Sequence, residues 1–145
     1  MSMIESNSLS LGADASFMSL EPVWKYVLGD YELLEKLGKG SYGLVVKAKH
    51  RETGKVCAIK HIKDVFYNQY EAHKVFREVH IMRKLSSMKT NIFTSKLVDV
   101  IVPFSSDQEN SLSQKESQLL FEEIFLVQEY FHSDMSHIIK EAPSL

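Results

Sequence analysis

Residues 37–46 read Leu-Gly-Lys-Gly-Ser-Tyr-Gly-Leu-Val-Val, and the last three decide what kind of chain carries the glycines. Gly38, Gly40 and Gly43 spell G-x-G-x-x-G, a spacing shared by unrelated phosphate-holding loops. In a dinucleotide-binding fold these glycines open a helix, so that the pyrophosphate meets its N-terminus. Here Leu44, Val45 and Val46 follow, and a β-branched run favours a strand. Asp64 stands at a tolerable distance for a ribose-binding acid, but the missing helix outweighs it. A P-loop needs Lys and then Ser or Thr directly after the last glycine, where this chain has Leu44 and Val45. What remains is a glycine-rich hairpin, either closed over phosphates or turning without a ligand. As a lid, its glycines would let the backbone approach phosphate closely. The N–H groups of Ser41, Tyr42 and Gly43 would donate to phosphate oxygens, and Tyr42 at the tip would shield them from water.

The hairpin sets the reading of its flanks. Tyr31 to Leu37 and Leu44 to Lys49 are its two strands, and Arg51-Glu52-Thr53-Gly54 is a turn into a third, Val56 to Ile62. Short turns between them predict an antiparallel meander. From Asn68 to Leu85 the period changes: Val75, Val79, Met82 and Leu85 fall at helical spacing, with no Gly or Pro between. Lys96 to Val102, stopped by Pro103, predicts a fourth strand, and Ile124 to Tyr130 a fifth. Between them Ser105 to Ser117 is polar and reads as a mobile loop. Residues 1–20 read as a disordered leader, and Pro22 to Gly29 as a segment contributing a short flanking strand. A short helix is expected to start at Ser133 or Asp134 and to end before Pro143. The expected class is α+β, a five-stranded antiparallel sheet with one long helix.

Two charged residues fall where apolar ones are expected. Strand alternation puts Val56, Ala58, Lys60 and Ile62 on one face. A lysine there needs an anion, because an unpaired buried charge is costly; alternatively its stem covers the sheet while its head reaches water. Glu78 lies three residues after Val75 and four before Met82, on or beside the apolar stripe of the helix. An inward carboxylate facing an inward lysine would hold Lys60 towards bound phosphates. The plainer alternative is a surface glutamate at the stripe's margin.

Bulk properties exclude several classes. The 145 residues are 44% apolar and 25% charged, the composition of a soluble globular domain. A net charge of -2 makes no case for nucleic acid or an anionic membrane. MSMIESNSLS lacks the basic start and apolar core of a signal peptide, and no apolar run approaches the roughly 18 residues of a membrane helix. An intracellular location, cytoplasmic or also nuclear, is expected. The single cysteine, Cys57, rules out an internal disulfide and reads as a small buried hydrophobe. None of the six histidines pairs with Cys or acidic residues at metal-ligand spacing.

The ordered set Leu37 to Val45, Ala58-Ile59-Lys60 and Glu78 resembles the small lobe of a protein kinase, over about Tyr31 to Lys140. Phe76 to Met82 is similar to the helix of the MAP kinase and cyclin-dependent kinase branch, and Leu126 to Tyr130 with Ser133-Asp134-Met135 to the MAP kinase hinge. The resemblance implies a lobe at 31–132 after a flanking segment at 21–30, with the start of a large lobe at 133–145. It implies ATP as cofactor, held by Leu37, Gly38, Lys39, Gly40, Ser41, Tyr42, Gly43, Leu44 and Val45 of the loop. Leu37, Val45 and Ala58 would sandwich the adenine, Gln128 would stand behind it, and Glu129 and Phe131 would offer backbone groups to its edge. Asp134 would accept from the ribose hydroxyls or cap a helix. Lys60 and Glu78 would be the catalytic pair. Protein substrates and Mg2+ are expected of the full-length family.

The sequence contains neither His-Arg-Asp nor Asp-Phe-Gly, the motifs that carry the catalytic base and a magnesium ligand. His50-Arg51-Glu52 is a near match, but it carries Glu and sits in the turn before the third strand. The chain therefore reads as a fragment, a truncated gene model or a short product that does not transfer phosphate by itself. Either it is the ATP-binding part of a Ser/Thr kinase, or a kinase-like remnant that binds nucleotide or competes for partners.

Overall fold

A computed structural model of the chain describes residues 22–40, 43–103, 122–133 and 138–140. The leader, the stretch Ser105–Ser117 and residues Ser41, Tyr42 and Asp134 lie outside them. The strands are β1 (Tyr31–Gly40), β2 (Gly43–His50), β3 (Val56–Ile62), β4 (Leu97–Ile101) and β5 (Ile124–Glu129), with a helix, α2 (Gln69–Ser87), between β3 and β4. They form one sheet in the order β1-β2-β3-β5-β4, and every pairing is antiparallel. The expected meander and single long helix are therefore present. Strand β1 runs three residues past Leu37 because Gly38, Lys39 and Gly40 stay paired with Val45, Leu44 and Gly43. Its register shifts between Leu33 and Glu35 and again between Lys36 and Gly38. Such irregularities bend a strand and increase its twist.

The flanking segment is not a strand. Pro22–Trp24 is a 3-10 turn that leads into α1 (Lys25–Leu28). The reason is where its apolar residues must go. Trp24 and Val27, three apart, both reach the sheet and are buried, which one helical turn allows and strand alternation does not. Trp24 meets Phe125 edge-on at 5.0 Å and His61 at 5.5 Å, and His61 stacks on Phe125 at 4.6 Å.

Two cores result, one on each face of the sheet. The outer core joins Trp24, Val27 and Tyr31 to Val46, Ala48, Cys57, Ile59, Phe125 and Val127. The inner core joins Val75 of α2 to Ile62, Val65, Ile124 and Leu126, with Val79, Leu97 and Val100 beside them. Cover on both faces explains why Ile124 to Val127 is an unbroken buried run. Helix α2 is capped by Asn68, whose side chain accepts from the Glu71 N–H at 2.9 Å. The helix passes Leu85 by two residues, where the Ser86 hydroxyl donates to Met82 and accepts from the Leu97 N–H, both at 2.7 Å. That link ties the end of α2 to β4. After Asp134, whose role in a short helix lies outside the described residues, positions 138–140 are helical.

The glycines of the hairpin differ in what they do for the fold. Gly43 has φ +137, and a Cβ there would collide with the His61 carbonyl oxygen of β3. A Cβ at Gly38 or Gly40 would meet nothing within 4 Å. Gly43→Ala should therefore destabilise the chain by about 2 kcal/mol or more, against under about 1 kcal/mol for Gly38→Ala, read from urea midpoints.

Cys57 is buried as expected, and its thiol donates to the Ala48 carbonyl at 3.6 Å. Burial pushes this thiol up to about 11. Burial first, then the Asp99 charge, pushes the Tyr31 hydroxyl up to about 12. Both groups keep their protons longer in the folded chain than at their ordinary 9.0 and 10.0. The folded state thus binds the extra protons, and this stability is complete below the unfolded values. It should be lost as pH rises from 9.0 towards about 12, and Tyr31→Phe should flatten the upper part of that decline in denaturation scans.

Candidate functional site

Residues directly opposite one another in a sheet share a face. Val45 opposes Lys60, which opposes Leu126; Lys47 opposes Ala58, which opposes Gln128. Leu126 belongs to the core under α2. Val45, Lys47, Ala58, Lys60 and Gln128 therefore face the side on which the helix lies.

Helix α2 brings the carboxylate to this face. Glu78 is half-buried between buried Val75 and half-buried Met82, and its Oε1 accepts from Lys60 Nζ at 2.7 Å. The lysine side chain is 22% exposed and the glutamate 36%, so the pair sits at the margin of the core with water at one side. A pair so placed adds about 1 kcal/mol or less to stability. Its consequence is orientation: the ammonium, held by a Glu78 carboxylate oxygen, stays on the face that also carries Val45 and Ala58. Neighbouring Arg77 and His80 are exposed, as their flanking positions require.

Gln128 is also held from α2. Its side-chain N–H donates to the Met82 sulfur at 3.7 Å, which places it between the sheet and the helix. The Glu129 N–H is committed to the Lys96 carbonyl at 2.9 Å, and its carboxylate accepts from the Lys96 N–H at 3.4 Å. Phe131 follows the end of β5 and is exposed. Leu37, at the bulge of β1, is 41% exposed, whereas Val45 and Ala58 are half-buried. Lys39 and Leu44 oppose each other below the hairpin tip. The tip residues Ser41 and Tyr42, and Asp134, lie outside the described residues.

The donor set suits a phosphate-bearing ligand. Gly38 and Gly40 leave open space where other residues carry a side chain, and Lys60 supplies a positioned cation on the α2 side of the same sheet. A divalent metal is less well served. Among the described residues no three His, Cys, Asp or Glu stand together as ligands, and Glu78 is taken by Lys60.

One residue of this face, and its contact with Tyr130, escape a reading based on motif spacing. Lys47 lies two positions after Val45, so strand alternation alone would have placed it inward. Its Nζ stands 4.7 Å from the centroid of the Tyr130 ring and 3.8 Å from Glu35 Oε2. The Tyr130 contact has no signal in the sequence, because it crosses β3.

The ion pair is tested by a double-mutant cycle on Lys60→Met and Glu78→Gln. Both variants should fold, with a coupling of about 1 kcal/mol in urea denaturation; zero coupling would mean the pair does not form in solution.

Residues 31–142 match the family described as protein kinase domain. The chain is 34% identical to extracellular signal-regulated kinase 2 of Dictyostelium discoideum over 123 residues, covering 85% of this chain and 28% of that protein. It is 34% identical to mitogen-activated protein kinase 15 of Rattus norvegicus, covering 86% of this chain and 19% of that protein. Against cyclin-dependent kinase-like 5 of Homo sapiens the identity is 29%, with 81% and 10% covered. The chain thus spans less than a third of these relatives' length. A five-stranded antiparallel sheet with one long helix, a glycine hairpin and an inward lysine–glutamate pair is the small-lobe arrangement that this match implies. The chain belongs to the protein kinase family, on the MAP kinase-like side of its CMGC group, and corresponds to the N-terminal portion of the kinase domain.

Proposed function

We propose that this chain is an ATP-binding lobe of a Ser/Thr protein kinase. The observation that carries the proposal is the 2.7 Å Lys60–Glu78 contact, on the face shared by Val45 and Ala58 of the strands that the glycine hairpin joins to the sheet. Kinases use ATP and Mg2+ in general. Bound ATP would supply the transferable γ-phosphate. Lys60, kept in place by Glu78, would donate to the α- and β-phosphates. The hairpin from Gly38 to Gly43 would cover the phosphates with backbone N–H groups and keep water out. Leu37, Val45 and Ala58 would hold the adenine between apolar surfaces, with Gln128 behind it and the backbone of Glu129 and Phe131 at its edge. Asp134 would take the ribose hydroxyls.

Phosphate transfer is assigned to a longer form. It requires an aspartate base and a magnesium-holding aspartate, and the 145 residues contain neither His-Arg-Asp nor Asp-Phe-Gly. That absence favours a second reading for the 145 residues by themselves, a module that binds nucleotide or a protein partner without turnover.

Calorimetric titration of the 145-residue chain with ATP should show one site, weakened about tenfold or more by Lys60→Met. Labelled γ-phosphate should not pass to a protein substrate above the Lys60→Met background. A chain that binds no ATP would defeat the nucleotide reading; transfer well above that background would defeat the assignment of turnover to a longer form.

A further inference from the structure

Lys47 is on the face just assigned to the nucleotide, yet no role given to that face uses it. It opposes Ala58 in the ladder, two pairs along from Val45 and Lys60 and so on the same face. Its side chain is 24% exposed, so most of its stem is covered. Its head has two partners in different parts of the fold: Glu35 on β1, at 3.8 Å, and the Tyr130 ring just past the end of β5, with the centroid at 4.7 Å. Tyr130 is in turn braced edge-on by His132 at 5.1 Å. Glu35 is 63% exposed at its side chain, so the ion pair alone is weak. The cation over the ring is the stronger tie, because an aromatic face attracts an ammonium within about 6 Å of its centroid.

The position of this contact matters more than its strength. Strands β1 and β2 carry the glycine hairpin and form one edge of the sheet. The segment after β5 carries Phe131 and leaves the sheet from the other side of β3. In the sheet the two are joined only through β3. Lys47 links them directly, across Ala58 and on the inward face. Its own strand leads back through Val45 to Gly43, so the tie bears on the strand that carries the hairpin.

We propose that Lys47, clamped between Glu35 and the Tyr130 ring, is a positioning residue for the nucleotide: it fixes the glycine hairpin against the segment that borders the adenine. The proposal rests on the nucleotide reading above. Lys47 acts through the relative placement of the two segments and does not hold the phosphates itself. Loss of the ammonium or of the ring should therefore have the same effect, and loss of both should add little more.

The test is binding of a fluorescent ATP analogue and of the corresponding ADP analogue to the full 145-residue chain. Lys47→Met and Tyr130→Leu should each weaken both nucleotides about fivefold, and the double variant should be no weaker than either single one. Lys47→Arg and Tyr130→Phe, which keep the cation and the ring, should bind as the parent chain does. Thermal midpoints of all variants serve to show that they fold. Undiminished binding in Lys47→Met or Tyr130→Leu overturns the clamp. So do independent, additive losses, or a loss for Lys47→Met that is larger for ATP than for ADP, which would mark direct phosphate contact. If the parent chain binds neither nucleotide, the nucleotide reading fails and the clamp's role falls with it. Binding that Lys60→Met abolishes and Lys47→Met leaves intact overturns the clamp alone.

Discussion

The alternation of β3 between two covered faces is the constraint on which the rest depends. Cys57, Ile59 and His61 point into the outer core and are 4%, 0% and 1% exposed. A slip of one residue would carry all three to the other face and bring Lys60 among Trp24, Val46 and Phe125. Burying that ammonium without a partner would cost several kcal/mol. The register is therefore held by its penalty as much as by its contacts. Held this way, Lys60 faces α2, and the 2.7 Å contact with Glu78 follows. His61, next in sequence, is buried on the opposite side, where its Nε2 meets Glu123 Oε2 at 2.6 Å.

The same strand explains how the glycine hairpin divides its work. Gly43 lies against the His61 carbonyl with φ +137 and belongs to the sheet. Gly38 and Gly40 crowd against nothing. Only the first has a reason within the fold to lack a side chain. At the other two a side chain would meet open space, so the described fold leaves the choice of residue there free. Lys47 and Tyr130 add a third level. They join the hairpin's strands to the segment beyond β5 without passing through the ladder.

Much of this was legible in the residues. The β-branched run after Gly43 predicts a strand, and one is present. The spacing of Val75, Val79, Met82 and Leu85 predicts the helix and puts Glu78 on or beside its apolar stripe, and the contact with Lys60 separates the inward position from a marginal one. The segment Pro22 to Gly29 misleads because Val23-Trp24-Lys25-Tyr26-Val27-Leu28, apolar or aromatic but for Lys25, can alternate as a strand or turn as a helix. Local pattern does not separate the two, and the demand to bury both Trp24 and Val27 does. Lys47 was within reach of alternation but matches no motif.

The sequence by itself determined the boundaries of the five strands and of α2 to within a few residues, the face that carries Lys60, and the exclusion of two other glycine-loop folds. These are local matters of side-chain shape and period. Tertiary structure alone decided the order β1-β2-β3-β5-β4, the cover of the outer face by Trp24, and the meetings of Lys60 with Glu78 and of Lys47 with Tyr130. Each of these joins segments far apart in the chain. Which of them meet depends on the burial of both sheet faces at once, and no local period encodes that.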